Sequence, residues 1–345
     1  MIQNEQYDTI RSLENLCRLC CGRDQVIAAF YFHSISPYDA LIMYSSTSNS
    51  LWQPPMRDGV SASQVYLPNS DATTVFEYLC QEFSHIAASE WQRRFEQQLI
   101  FDQSGRVLTQ HSAYLAHTHI FYYRFLAHEA VVPFQEKILF ENEHLLVVDK
   151  PHFLTVSPTG QYVQQSLLVR LKKATQNPEL SPIHRLDRET AGVILFAKQA
   201  RSRAAYQQLF AEALVEKQYH AIAPYRADLA FPLQLNLRMV KSEPFYTMRM
   251  VDGPQNSRTR INLIERQQDW AKYLLCPETG KQHQLRVHLN HLGIPIRNDR
   301  LYPHISHKAA DDFSHPLQLL AKQIRFQDPF SGTVQQYNSH FNLSL

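Results

Sequence analysis

The longest apolar runs in this chain are strand-sized. Leu145-Leu146-Val147-Val148 and Val193-Ile194-Leu195-Phe196-Ala197 end after a few residues, far short of the roughly 20 apolar residues of a membrane-crossing helix. Further strand-like segments recur at 137–140, 219–223, 273–276 and 317–326, so the core is built on sheet. Helical spacing interrupts them at 165–173, 200–213 and 283–292, without the regular strand-and-helix alternation that builds a parallel sheet. The expected architecture is α+β, with a mixed or antiparallel central sheet flanked by helices and loops.

At 345 residues the chain exceeds what one small core organises, and its punctuation divides it into zones. Residues 1–51 join a cysteine cluster to the aromatic Phe30-Tyr31-Phe32 and end in Ser45-Ser46-Thr47-Ser48-Asn49-Ser50, which reads as a linker. Residues 52–132 open at Pro54-Pro55 and carry Val75, Phe76, Leu79, Cys80 and Phe83 at helical spacing behind the candidate N-caps Thr73 and Thr74. A second amphipathic stretch at 91–99 displays Arg93 and Arg94, and short strands are expected near 105–107 and 121–123. Two helices followed by small strands make a small N-terminal α/β region. It suits a compact RNA-binding module, with a structural lid as the alternative. Residues 133–345 form the strand-rich zone.

A net charge of +2 does not by itself mark a nucleic-acid binder. Arg170, Lys172, Lys173, Arg185, Arg188, Lys198, Arg201 and Arg203 crowd into one stretch, either as a phosphate-facing patch or as an ordinary solvated face. The N-terminus lacks the basic-then-apolar order of a secretory signal, so a cytoplasmic location with no membrane partner is expected. Five cysteines are too few for a disulfide framework. Cys17, Cys20 and Cys21 supply half of a zinc ligand set and His33 one further candidate, so reduced cysteines are expected. With nine glycines the chain contains neither GxxxxGKS/T nor GxGxxG, and no nucleotide cofactor is expected. His283, His288 and His291 partly share a helical face that could hold a metal. No acidic residue lies between the first two and the spacing is not that of a zinc-protease helix, so structural or substrate-facing roles are expected and no metal.

The richest segment is 182–198. A polar loop bearing His184, Arg185, Asp187, Arg188 and Glu189 leads directly into Gly192-Val193-Ile194-Leu195-Phe196. A loop dense in ionisable groups at the mouth of a buried strand is where carboxylates acquire catalytic surroundings. On these residues alone a salt-bridged surface turn is the preferred reading.

His184-Arg185-Leu186-Asp187, followed by Arg188-Glu189-Thr190-Ala191-Gly192-Val193, resembles the catalytic motif of the RluA-type pseudouridine synthases, HRLD-x-x-T-S-G. The resemblance extends in order across the third zone. The segment 138–151, ending Asp149-Lys150-Pro151, looks like the family's first strand pair and Lys-Pro turn, and Lys217-Gln218-Tyr219 is similar to its Lys-x-Tyr. The run Thr279-Gly280-Lys281-Gln282-His283-Gln284-Leu285-Arg286-Val287-His288-Leu289 is similar to TGRTHQIRVHL, and 296–302 to the Gly-Asp-x-x-Tyr segment. The departures are Lys281-Gln282 for Arg-Thr, Asn298 for Gly, Leu320-Ala321 for His-Ala, and Phe153 where Gly often follows Lys-Pro. None removes a group the chemistry requires, and all bear on RNA fit. Residues from Met56-Arg57-Asp58-Gly59-Val60 onward look more like a family start than Met1, so 1–51 is expected to be an extension or an upstream start.

The resemblance implies a pseudouridine synthase fold with a mainly antiparallel mixed sheet and a structured ribosomal or transfer RNA partner; a monomer is the default expectation. It also implies that Asp187 is the catalytic carboxylate. A buried carboxylate stays ionised only beside a cation; Arg286 fills that role in the resemblance, and a guanidinium can grip a carboxylate through two parallel hydrogen bonds. Tyr219 stacks on an extruded uracil or relays a proton at C5, Leu285 offers an apolar wall, and Arg185 enters the vacancy left by the flipped base. His184, Lys217 and His283 complete the expected substrate-binding set. The rival expectations are a catalytically idle RNA-binding protein and a metal-dependent hydrolase built on the histidine group.

Overall fold

The computed structural model describes residues 52–345 apart from 125, 127, 128 and 310. Cys17, Cys20, Cys21, His33, the serine-rich linker and the extension at 1–51 lie outside the described residues.

Two sheets organise the described chain. The smaller contains β1 (Ser63–Leu67), β2 (Ile100–Asp102) and β3 (Thr118–Tyr122), paired antiparallel in the order β1-β3-β2. Helices α1 (Val75–Glu82) and α2 (Ala88–Glu96) share a core with it around Trp91, Leu79, Ile100 and Ile120. Thr74 caps α1: its hydroxyl accepts the Glu77 N–H at 3.1 Å, while the Glu77 carboxylate accepts the Thr73 N–H at 2.8 Å, satisfying donors the helix leaves open. The element order is strand, helix, helix, strand, strand, so β1 adds to the expected sequence of elements. The segment at 105–107 is a turn in which Val107 makes an isolated bridge to Phe101. Arg94 does not face solvent. It is 7% exposed and its guanidinium lies 4.7 Å from the Trp91 ring, whereas the more exposed Arg93 pairs with Glu90 at 3.4 Å. The (CH2)3 stem of Arg94 and its cation over an indole help to close the small core.

The larger sheet has eleven strands. They are β4 (Lys137–Glu141), β5 (Leu145–Lys150), β6 (Ser181–Pro182), β7 (Ala191–Ala197), β8 (Glu216–Pro224), β9 (Leu233–Lys241), β10 (Met248–Val251), β11 (Ser257–Gln267), β12 (Trp270–Pro277), β13 (Leu319–Gln327) and β14 (Val334–Asn338). Their order is β10-β9-β11-β12-β8-β13-β7-β5-β4, with β14 beside β13 and β6 beside β7. Among the described residues only β13 and β7 pair in parallel, so the sheet is mixed and mainly antiparallel, as expected. Helices α3 (Leu167–Thr175), α4 (Ala200–Ala211) and α5 (Gln284–His291) complete an α+β fold. No helix of the described residues is long and apolar enough to cross a membrane.

The unbroken apolar runs have a physical cause. Every residue of β5 and β7 is buried. Leu146, Val148, Ile194 and Phe196 join one core while Leu145, Val147, Val193 and Leu195 join another. Central strands covered on both faces lose the apolar–polar alternation.

Gly192 sets the register at the mouth of β7. Its φ is +113°, and a Cβ there would stand 2.2 Å from the Ala321 carbonyl oxygen across the parallel pairing. Gly192→Ala is therefore expected to destabilise the protein by about 3 kcal/mol or more through strain and overlap; an unchanged midpoint in chemical denaturation would contradict this.

Several of the clustered basic residues are engaged in ties within the fold. Arg170 donates to the carbonyls of Phe134 and Val132, Lys172 to the Ser61 hydroxyl, Lys198 meets Glu141 and Arg201 meets Glu143. These four are held by neighbours in the fold, Arg201 and Glu143 as a largely exposed pair, while Arg185 stays exposed.

Candidate active site

The loop between β6 and β7 carries the ionisable segment. It turns tightly, with the Thr190 N–H donating to the Asp187 carbonyl at 3.2 Å, and it is anchored by buried Ile183, Leu186 and Thr190. Beneath it lies Lys150, the last residue of β5 and fully buried. Its Nζ donates to the carbonyls of Leu154 (2.8 Å), Pro151 (3.0 Å) and Arg188 (3.1 Å). Burial pushes this ammonium down to about 7, opposed by the nearby charge of Asp187. Lys150→Met leaves three carbonyls without their donor and is expected to cost about 2–4 kcal/mol; thermal unfolding superposable on that of the wild type would contradict it.

The neighbouring Phe153 occupies the left-handed region at φ +66° yet is 1% exposed, packed between Phe134 and Phe313. This is a backbone conformation that glycine adopts without strain. Here the ring's burial offsets a backbone cost of about 1 kcal/mol or more. Asn298 is likewise at φ +65°, a conformation asparagine adopts more readily than other side chains.

Asp187 meets Arg286, on α5, through Oδ2 and Nη1 at 3.1 Å. The two-pronged grip of the guanidinium goes elsewhere. Nε and Nη2 donate to Oδ2 and Oδ1 of Asp299 at 2.8 and 2.7 Å. Asp299 is almost wholly buried and also accepts the N–H groups of Leu301 and Tyr302. The expectation of a bidentate Asp187–Arg286 pair is thus corrected: Asp299 fixes the guanidinium plane, leaving one corner for Asp187. Burial pushes the Asp187 carboxyl up, but His283, Arg286 and Arg185 outweigh it and hold the group below its ordinary value. Burial works against the charge of Arg286 too, and Asp299 overcomes it, raising its pKa.

His283 stands at the N-terminus of α5 in the left-handed region, φ +53°. Its Nδ1 lies 2.9 Å from the Tyr302 hydroxyl, which itself accepts the Met248 N–H at 2.9 Å. With one proton and two lone pairs, that hydroxyl can donate to Nδ1 while accepting the Met248 N–H. In the neutral tautomer that accepts it, the ring proton sits on Nε2, 3.8 Å from Asp187 Oδ1. Burial lowers the pKa of His283, with Asp187 opposing.

Asp187 borders two adjoining cavities. One, of about 320 Å3, is lined by Tyr219, Leu285, Lys217 and Thr190; the other, a cleft of about 670 Å3, by Arg188, Glu189, Arg300 and Tyr246. Arg185, exposed, contributes to both. Tyr219 keeps its phenol proton, since burial first and the Asp187 charge second raise its pKa. His184 is turned toward β7: its Nε2 accepts the Leu195 N–H at 3.1 Å and its ring stacks on Phe210 at 4.7 Å. With that nitrogen occupied and burial pulling its pKa down to about 3, it holds the loop to the strand. The histidine group does not converge. His288 is buried against the Ser257 hydroxyl at 2.9 Å and His291 is exposed. No cluster of metal-ligating side chains occurs among the described residues.

Sequence reasoning brought Asp187, Arg286, Tyr219, Leu285, Lys217, His283 and Arg185 to this place but passed over Lys150, Asp299 and Tyr302. Their signal was present in the Lys-Pro turn and in the 296–302 segment.

The model of the family described as RNA pseudouridylate synthase matches residues 144–291. The Dual-specificity RNA pseudouridine synthase RluA of Vibrio cholerae is 31% identical over 199 residues, covering 56% of this chain and 78% of that protein. The protein of the same name from Haemophilus influenzae is 30% identical over 207 residues, 59% of this chain and 91% of that one. The solved structure of Human RNA Pseudouridylate Synthase Domain Containing 1 superposes with a TM-score of 0.49 at 22% identity, over 59% of this chain and 83% of that one. With a family match that spans the Asp187 loop and the Arg286 helix, and relatives aligned over most of their own length, the chain belongs to the RluA-type RNA pseudouridine synthases and is an isomerase.

Proposed function

We propose that the protein converts specific uridines of structured ribosomal or transfer RNA to pseudouridine, with Asp187 as the reacting carboxylate. The observation that carries this reading is the line Asp299–Arg286–Asp187, in which one buried guanidinium keeps a carboxylate ionised beside an open cleft. The reaction breaks the C1′–N1 bond, turns the uracil, forms C1′–C5 and moves a proton from C5 to N1. It needs no outside group donor or redox partner. An ionised carboxylate serves by attacking the sugar or by acting as a base, and either way its charge offsets cation-like character at C1′. Oδ2 is engaged by Arg286, and Oδ1 lies beyond hydrogen-bond length from His283, so Oδ1 is the oxygen offered to the ribose.

The smaller cavity receives the flipped uracil. Tyr219 supplies an aromatic face and Leu285 an apolar wall, and the raised pKa of the phenol suits it to stacking or donating rather than to taking the C5 proton as phenolate. Arg185, at the rim of both cavities, enters the gap left in the RNA stack, offsetting a flipping cost of about a few kcal/mol. The relatives' names as RNA pseudouridine synthases support RNA as the partner.

The test uses ribosomal and transfer RNA carrying tritium at C5 of uracil, from cells lacking this gene. Wild-type protein is expected to release tritium to water as C5 exchanges hydrogen for the ribose. An idle RNA-binding protein binds the same RNA and releases none.

A further inference from the structure

The most exposed large apolar side chain among the described residues stands next to this cleft. The β9–β10 hairpin turns through Glu243-Pro244-Phe245-Tyr246. Phe245 is 78% exposed; Tyr246 is 37% exposed and lines the 670 Å3 cleft that contains Asp187. The two rings stand 5.5 Å apart, inclined at 79°. Their tip is held in shape: the Ser242 N–H donates to the Thr247 carbonyl at 3.0 Å, and the N–H and hydroxyl of Thr247 both donate to the Pro244 carbonyl at 2.8 Å. The Gln282 side-chain amide then donates to the Tyr246 carbonyl at 3.1 Å, tying the tip to the loop before α5. Gln282 thereby anchors the aromatic tip to the site of Asp187.

We infer that Phe245 and Tyr246 form a stacking platform for an unpaired base beside the target uridine. The enzyme thereby selects uridines flanked by at least one unstacked nucleotide, in a loop, bulge or single-stranded end. This rests on the reading of the Asp187 cleft as an RNA-modifying site. A rigid aromatic pair presents its faces with little ordering cost, every base has a face to match, and bases within a continuous duplex have none free. Exposed Arg185 and Lys281 near the same cavities suit the phosphates of such a strand.

The test compares wild-type protein with the Phe245→Ser/Tyr246→Ser double variant on the tritiated RNA described above, separating KM from kcat by varying RNA. The expected result is a KM raised about 10- to 100-fold, the loss that follows release of a stacked base, with kcat at saturating RNA changed by less than about threefold. The aromatic swap Phe245→Tyr/Tyr246→Phe keeps KM near that of the wild type. In a synthetic stem-loop spanning the modified position, 2-aminopurine beside the target uridine is quenched on binding wild-type protein and stays bright with the double variant. Wild-type KM and quenching in the double variant, with an unchanged unfolding temperature, overturn the platform. If the wild-type protein itself releases no tritium from any RNA, the reading of the site beneath the inference fails instead.

Discussion

Asp187→Asn is expected to lower pseudouridine formation by about a thousandfold or more, while the protein stays folded and still binds RNA. The amide is nearly isosteric with the carboxylate and lines the same cavities, but it carries no charge to offset at C1′ and no electron pair of comparable nucleophilicity. The stability effect should be modest, about the 1.5–3 kcal/mol of one hydrogen bond to a charged group, because Arg286 keeps both hydrogen bonds to Asp299. Its pH dependence has a definite sign. The folded carboxyl lies below its ordinary value, so its contribution is full above about pH 4, the unfolded carboxyl range, and fades as pH falls below it. The stability gap between wild type and variant should therefore close on acidification. Kinetics on saturating RNA and unfolding curves between neutral and acidic pH check both statements.

Arg286→Met should be more damaging to the protein as a whole. It strips the cation from between two carboxylates, one nearly inaccessible to solvent, and the expected loss is about 3–5 kcal/mol. Asp299 retains its two backbone donors but not its counter-charge. Burial then acts on Asp187 without Arg286, and its pKa moves upward. Residual activity is expected to be lower by about a hundredfold or more, and the acidic limb of its pH profile to lie at higher pH than that of the wild type. Arg286→Lys should recover little of this, since one ammonium cannot replace a guanidinium that addresses Asp299 along one edge and Asp187 from a corner. A variant as stable as the wild type with an unshifted pH profile would show that the carboxylate does not depend on this cation.

How much of this was legible in the sequence follows from the physics of each segment. The double-sided burial of β5 and β7 leaves unbroken apolar runs, so those strands were readable directly. β11 was not, because residues such as Arg258 and Arg260 alternate outward while small polar Ser257 and Thr259 point inward; β9, β10, β14 and β1 are similarly mixed. The Asp187 loop and the Arg286 helix are contiguous motifs and survive as words in the chain. The Asp299 fork is a tertiary fact: nothing local to residue 299 indicates which cation it faces. Lys150 hides the same way, since a lysine at a strand end reads as a surface charge until three carbonyls are found around it. Arg94 misled for the opposite reason, its amphipathic position giving no sign that Trp91 would draw it inward.

The central claim is tested most directly by mapping pseudouridine across ribosomal and transfer RNA in cells lacking this gene and in the same cells supplied with wild-type protein or Asp187→Asn. The account predicts that at least one position loses pseudouridine, that wild-type protein restores it, and that Asp187→Asn, present at the same level, does not. Restoration by Asp187→Asn, or no position changed by loss or return of the gene, would contradict it.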